Sequence, residues 1–426
     1  MQLRERRSTV KKREESVPVK RQSPKSRGVS APRKSEKKLK IDYSDMEVSE
    51  YYLKASRAYR GAKYVAFFLL VCFLCVNLLF FRENITYTNL MYLLRDLDTG
   101  VVVPTGEFAS ISYSEETASA YGIFKGRLAI AGASGFRLYN STGARELDES
   151  RYMQNPALAV GDKYAVAYDV GGHSYSIFTT MACVSRGTEE NVIEDVCVSD
   201  SGSYAIMTRS SEAKYLITVY KENMSPITKH YKENFPCDMA MNSKGDALAV
   251  VSADVSVTGI STEIKIYTPG TADEVVMTVE GSMPLGASYM DNGKLLVVCD
   301  DKICSVEGGE VTILADMDDK TVDLFSFTES GVAVVCSANS VATENEAILY
   351  SAEGEEILRR TVSEKIGGLA SDQGAIYVLC EDKIVAYYVD GSSKTATAGT
   401  GVNAILPLYG GLLKCEKLGA SAVVFD

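Results

Sequence analysis

Four cysteines recur at one place in a repeated pattern: Cys299 in VVCD, Cys336 in VVCS, Cys380 in VLCE and Cys415 in LKCE. Each ends a short apolar run, where a small buried side chain fits better than a metal ligand. No CxxC pair or Cys/His cluster accompanies them, so no zinc site of ordinary spacing is expected. Equivalent cysteines on neighbouring repeats are too far apart for a disulfide, which leaves Cys299 and Cys304 as a possible cross-strand pair. The two histidines, His173 in GGHSYS and His230 in TKHYKEN, stand in polar surroundings without a nearby ligand set. A His-based triad or metal centre is therefore not expected.

The carboxylates offer a second kind of chemistry. The run ADMDDKTVD over Ala315–Asp323 is dense in acids but lacks the central Gly and terminal Glu of an EF-hand loop, so it reads as a solvated loop. Glu344 and Glu346 with Asp316 or Asp318 are nominal candidates for acid–base work of the glycosidase or lyase kind. The stretch KTATAGTGVN lacks the ordered Gly-Lys-Ser/Thr of a phosphate loop. Neither a metal nor a cofactor is expected.

The elements that must position such residues begin with Tyr64–Phe81, eighteen residues without a charge. As a helix they extend about 27 Å, close to the ~30 Å of a bilayer's hydrocarbon core. Residues 1–63 hold 19 Lys/Arg against 8 Asp/Glu, and residues 64–426 hold 26 against 48. The positive-inside bias then places the N-terminus in the cytoplasm and the long acidic part outside. A cleaved signal peptide fits poorly, because RENITYT offers no small-residue cleavage site. The organisation expected is a disordered basic arm over 1–44, a juxtamembrane helix over 45–63, a transmembrane helix over 64–81, an outer juxtamembrane helix or linker over 82–99, and a folded domain over 100–426. The arm suits anionic lipid headgroups, and having no folded reader it is not expected to bind nucleic acid.

After Gly100 short apolar runs alternate with Gly, Asp, Asn and Ser turns. Turn glycines at Gly126, Gly161, Gly202, Gly245, Gly293, Gly331, Gly374 and Gly411 recur every 35 to 48 residues. That period, with three or four strands per unit, predicts an all-β propeller of eight blades, or seven if one weak copy is only a loop. The last copy stops after three strands, so a strand from the N-terminal side, with Gly100–Val103 as the natural donor, is expected to complete it.

The repeats resemble those of quinoprotein-like and WD40-like propellers, although the chain has no Trp and hence no WD dipeptide. With NLMYLLRDLD at Asn89–Asp98, residues 60–426 resemble a family of bacterial single-pass membrane proteins of unknown function that carry an extracytoplasmic propeller. The resemblance implies a topology and a bacterial origin, and no activity. Without a convergent catalytic set, a non-enzymatic binding or scaffolding role is expected, with an envelope protein or glycan as partner. A ligand sensor signalling through a partner, or the glycosidase-like enzyme, is the alternative. Propeller geometry gathers the loops between second and third strands on one face with the loops joining blades. The candidate contact residues there are Arg209, Lys214, Asp254, Thr262, Asn339, Glu344, Glu346 and, on the joining loop Met317–Lys320, Asp318.

Overall fold

The computed structural model describes residues 50–80, 108–114, 119–257, 259–338, 344–408 and 411–426. The chain divides into two units, residues 1–79 and 80–426. In the first, a single helix spans Glu50–Phe80 and runs from its polar N-terminal residues into the apolar segment without a break. Tyr64, Val65, Phe67, Phe68, Leu69, Leu70 and Phe73 are all more than half exposed on it. At 100° per residue they surround the helix. Among the described residues no helix is long and apolar enough to cross a membrane. The expected span over 64–81 runs onto residues beyond that description, as do the basic arm and the linker over 82–99.

The second unit is an eight-bladed propeller: eight sheets of four antiparallel strands, each blade a meander from the axis outward. The inner strands are Ser119–Phe124, Pro156–Val160, Ile193–Val198, Phe235–Met241, Pro284–Tyr289, Thr321–Thr328, Ile366–Ser371 and Val402–Leu408. The second strands are covered on both faces by neighbouring blades, so they read as continuous apolar runs. Leu295–Cys299, Gly331–Ser337 and Ala375–Cys380 are buried at every position. Outer strands face solvent and alternate, as Glu274–Glu280 does with Met277 and Val279 turned inward.

Eight apolar cores result, one between each pair of adjacent blades. The eighth joins the last blade to the first through Leu413, Cys415 and Ala420 packed with Leu128 and Ile130. Both weak N-terminal copies are complete blades. In the first, Lys125 and Gly126 at φ 50° and 75° form the two-residue turn between Phe124 and Arg127. Positive φ at both positions is the geometry that matches strand twist in a tight hairpin.

The closing strand differs from expectation. It is Ile111–Ser112, paired with Ala420 and Gly419, and not Gly100–Val103, which lies outside the described residues. Ile111 and Phe108 supply the apolar surface that the eighth core needs. Tyr113 follows, its hydroxyl 2.7 Å from the carbonyls of both Glu416 and Gly419. The polar stretch TKHYKEN around His230 falls largely within the outer strand Pro226–Lys232.

Candidate functional site

In a four-stranded meander the turns after the first and third strands fall on one face, here the turn face. The turns after the second strands and the blade-to-blade connections fall on the other, the loop face. The expected contact residues can be placed on this frame. Arg209 ends a second strand and is ion-paired with Glu194. Lys214 lies in the following loop, its ammonium 4.4 Å from the centre of the Phe235 ring. Glu344, Asp316 and Asp318 are exposed, and the Asp318 N–H donates to Asp316 at 2.9 Å from a left-handed φ of 55°. Glu346 is committed to Lys320 at 2.6 Å and to Arg359, and the Lys320 hydrogen bond is the main cause holding its carboxyl below the usual range. Asn339 lies outside the described residues.

Thr262 is a correction. It is fully buried, and its hydroxyl donates to the Ser282 carbonyl at 2.8 Å. It cannot touch a ligand, because the hairpin that looked like a loop is a ladder reaching Ser256 and Gly259, with Thr262 paired to Ala253. Asp254, one step further out, is exposed. This fourth-blade hairpin has strands of nine residues, Leu248–Ser256 and Gly259–Tyr267, against at most seven for the corresponding strands elsewhere in the described residues. The extra length carries Val255, Val257 and Ile260 into solvent at 65%, 107% and 42% exposure. On the same face, a recess of about 380 Å³ opens between the seventh and eighth blades, lined by Lys365, Leu379, Cys380, Glu381 and Val402 among others.

The cysteines behave as the apolar reading requires. Cys299, Cys336, Cys380 and Cys415 are buried in cores between blades. The described cysteines are free thiols, and Cys299 and Cys304 hydrogen-bond to one another without forming a bridge.

Two carboxylates that sequence reasoning missed sit in the inner wall. Asp195 and Asp238 follow β-bulges at equivalent places on the inner strands of blades three and four. Asp195 accepts from its neighbour Val196 N–H at 2.8 Å and from the Tyr168 hydroxyl at 2.9 Å. Asp238 accepts from Met239 N–H and, across to the fifth blade, from Ala287 N–H, both at 2.8 Å. Burial, reinforced by the charge of Asp195, pushes Asp238 up to about 7. The available signal was positional, since each aspartate stands seven residues before its turn glycine, Gly202 or Gly245.

A pH dependence follows. Asp238 rises from 3.8 to about 7, so the native state holds this proton more tightly than the unfolded chain does. That stabilising contribution is complete below the unfolded value and is lost as pH climbs through the folded one. Asp238→Asn should therefore flatten the fall in stability between about pH 4.5 and about pH 8. Urea midpoints of wild type and variant at the two pH values check this, and parallel slopes would show that Asp238 ionises as an ordinary carboxylate.

Several solved structures are similar to the chain. The β-propeller domain of Cps50 (Swd1) from Myceliophteria thermophila is 11% identical, with 70% of this chain and 100% of that one covered at a TM-score of 0.45. Hydrazine synthase from Kuenenia stuttgartiensis is 12% identical, with 70% and 99% covered at 0.44. Apo AztD from Citrobacter koseri is 11% identical, with 67% and 84% covered at 0.43. No curated protein matches the sequence. Residues 107–411, from just before the closing strand into the last blade, match a family of unknown function, and the chain belongs to that family, DUF5711.

Proposed function

We propose that this chain is a membrane-anchored binding and scaffolding module whose propeller lies on the extracytoplasmic side and engages an envelope protein through its loop face. The anchoring part is supported by the apolar side chains exposed around the helix Glu50–Phe80 and by the basic N-terminal flank. Side chains of that kind cost free energy in water and are stabilised in lipid. The arm of residues 1–44 meets anionic headgroups beside the anchor.

The observation that carries the binding part is the fourth-blade hairpin, which lifts Val255, Val257 and Ile260 clear of the face. Val255 and Ile260 are cross-strand partners and so share one side of the ladder. Apolar side chains grouped on a rigid projection mark a protein contact more often than a random surface does. The described stretch leading into the closing strand lies on the turn face, where Ala109 N–H bonds to the Ser141 carbonyl. The enzymatic alternative finds one specific observation in the Asp195 and Asp238 pair, where Met239 and Ala287 N–H groups engage the two oxygens of Asp238 and the Val196 N–H and Tyr168 hydroxyl share one oxygen of Asp195.

Proximity labelling from intact cells, with the label after Asp426, tests the reading. The wild type should recover one or two envelope proteins that Val255→Ser/Val257→Ser/Ile260→Ser loses. Equal recovery by both would overturn the hairpin as the contact. Sidedness has its own test, because Cys237 is an exposed thiol. A membrane-impermeant maleimide should label it in intact cells and fail with Cys237→Ser, whereas labelling only after lysis would place the propeller in the cytoplasm.

A further inference from the structure

On the turn face, the inner strands of blades six, seven, eight and one end around a cavity of about 570 Å³. That volume lies within the range of small-molecule sites. Ile123, Phe327 and Leu408 give it apolar walls, and among the described residues Glu329 and Asp372 are its acids and no Lys or Arg lines it.

Both carboxylates are held in place by neutral groups. Asp372 accepts from the Tyr377 hydroxyl and from Gly374 N–H, each at 2.8 Å. Glu329 accepts from the Gln373 amide at 3.2 Å, which ties the turn of the sixth blade to that of the seventh. Two negative charges are thus positioned without being cancelled, at the edge of an apolar hollow shared by four blades. Acceptors already fixed in the fold spare a ligand the cost of ordering them.

We propose that this cavity binds a ligand with a cationic ammonium or guanidinium head and an apolar body. The head sits between Glu329 and Asp372, and the body lies against Ile123, Phe327 and Leu408. A neutral ligand of the same shape would take water from both carboxylates and return no counter-charge. An anion would meet a domain whose residues 100–426 hold 45 acids against 24 basic residues. The same chemistry is offered by a Lys or Arg side chain beside an apolar residue in a peptide and by a free alkylamine, which has the charge alone.

Calorimetric titration of the full chain in lipid nanodiscs separates these cases with three probes. Acetyl-Phe-Lys-amide has head and body, acetyl-Phe-norleucine-amide has the body alone, and cadaverine has charge without the aromatic body. The first should bind, and each of the others should bind about tenfold more weakly or worse, the difference expected from one charge-assisted contact or one buried aromatic group. Glu329→Gln, on an exposed turn and nearly isosteric, should weaken the first probe by about tenfold and leave the norleucine probe unchanged. Equal binding of the Lys and norleucine probes overturns the cation site, and cadaverine binding as tightly as the Lys probe overturns the apolar body. No heat from any probe up to millimolar concentration removes the proposal altogether. The site lies on the face opposite the fourth-blade hairpin, so its failure would leave the protein-contact reading standing, and the reverse holds too.

Discussion

Glu263→Ala should cost the propeller about 3 kcal/mol, the lower end of what removing one partner from a buried ion pair costs. Lys232 is 2% exposed, at the end of the outer strand of the third blade, and its ammonium lies 2.7 Å from Glu263 Oε1 on the fourth. Asn234 donates to the same oxygen at 2.6 Å, and Lys265 lies 3.6 Å from the other. The lower end applies because a fifth of the Glu263 side chain is exposed, so water reaches the gap and screens part of the loss. The two partners report on the pair differently. Burial pulls Lys232 below its ordinary value despite Glu263, whereas Glu263 is lowered because the hydrogen bonds from Lys232 and Asn234 outweigh its own desolvation. The Lys232 direction is the better guide to the net value, since that ammonium is the more deeply buried charge. The pair is therefore costly to break and not obviously profitable to keep. Lys232→Met/Glu263→Leu should recover most of the loss, as apolar replacements of buried ion pairs often do. Urea midpoints at unchanged slope measure both variants. A Glu263→Ala midpoint equal to wild type, or a double variant as unstable as the single, would refute this account.

That ion pair could not be read from the sequence, and the reason is instructive. Lys232 stands in HYKENFP, which reads as a polar joining loop until the ladder from Tyr215 to Lys232 makes it a strand end facing the next blade. The same limit explains Thr262, whose surroundings look like loop because the fourth-blade hairpin runs at least three rungs longer than those of its neighbours. Asp195 and Asp238 were hidden for a related reason, since an aspartate inside a short strand looks like the turn beside it. What the sequence did show was carried by features repeated in every blade. The turn glycines marked the period, and the second strands, covered on both sides, stood out as unbroken apolar runs ending in Cys299, Cys336, Cys380 and Cys415. Repetition made the architecture legible, and the residues that differ between blades, where a site must lie, had no second copy to identify them.

The closing strand is the sharpest of these differences, and removing its anchors should have the largest effect. Ile111–Ser112 pairs over only two residues, in the polar stretch FASISYSEE, so nothing in its pattern competes with the Val-rich run at Gly100–Val103. Its weight comes from burial, because Phe108 is 6% exposed and Ile111 2%, and both pack on Leu128, Ile130 and Leu413. Truncating a buried Phe costs about 3–5 kcal/mol and a buried Ile about 2–5, so Phe108→Ala/Ile111→Ala should lose roughly 5–10 kcal/mol if the sites act independently. That is comparable with the whole stability of an ordinary domain. The last blade would then present Gly419–Ala422 as an unpaired edge, the kind of surface that recruits another chain. Thermal unfolding followed by far-ultraviolet dichroism should show a transition lowered by roughly 10 °C, accompanied by aggregation. Gly419→Ala gives an independent check, since its new Cβ would lie 2.4 Å from the Ile111 carbonyl oxygen and push the strand away without removing any apolar side chain. If both variants melted at the wild-type temperature, the ring would have to be held shut by another segment, and the eighth core would contribute little. If both melt early while the other seven blades keep their dichroism at lower temperature, closure is a local latch. A single cooperative loss would instead mean that the two residues at Ile111–Ser112 hold the entire ring.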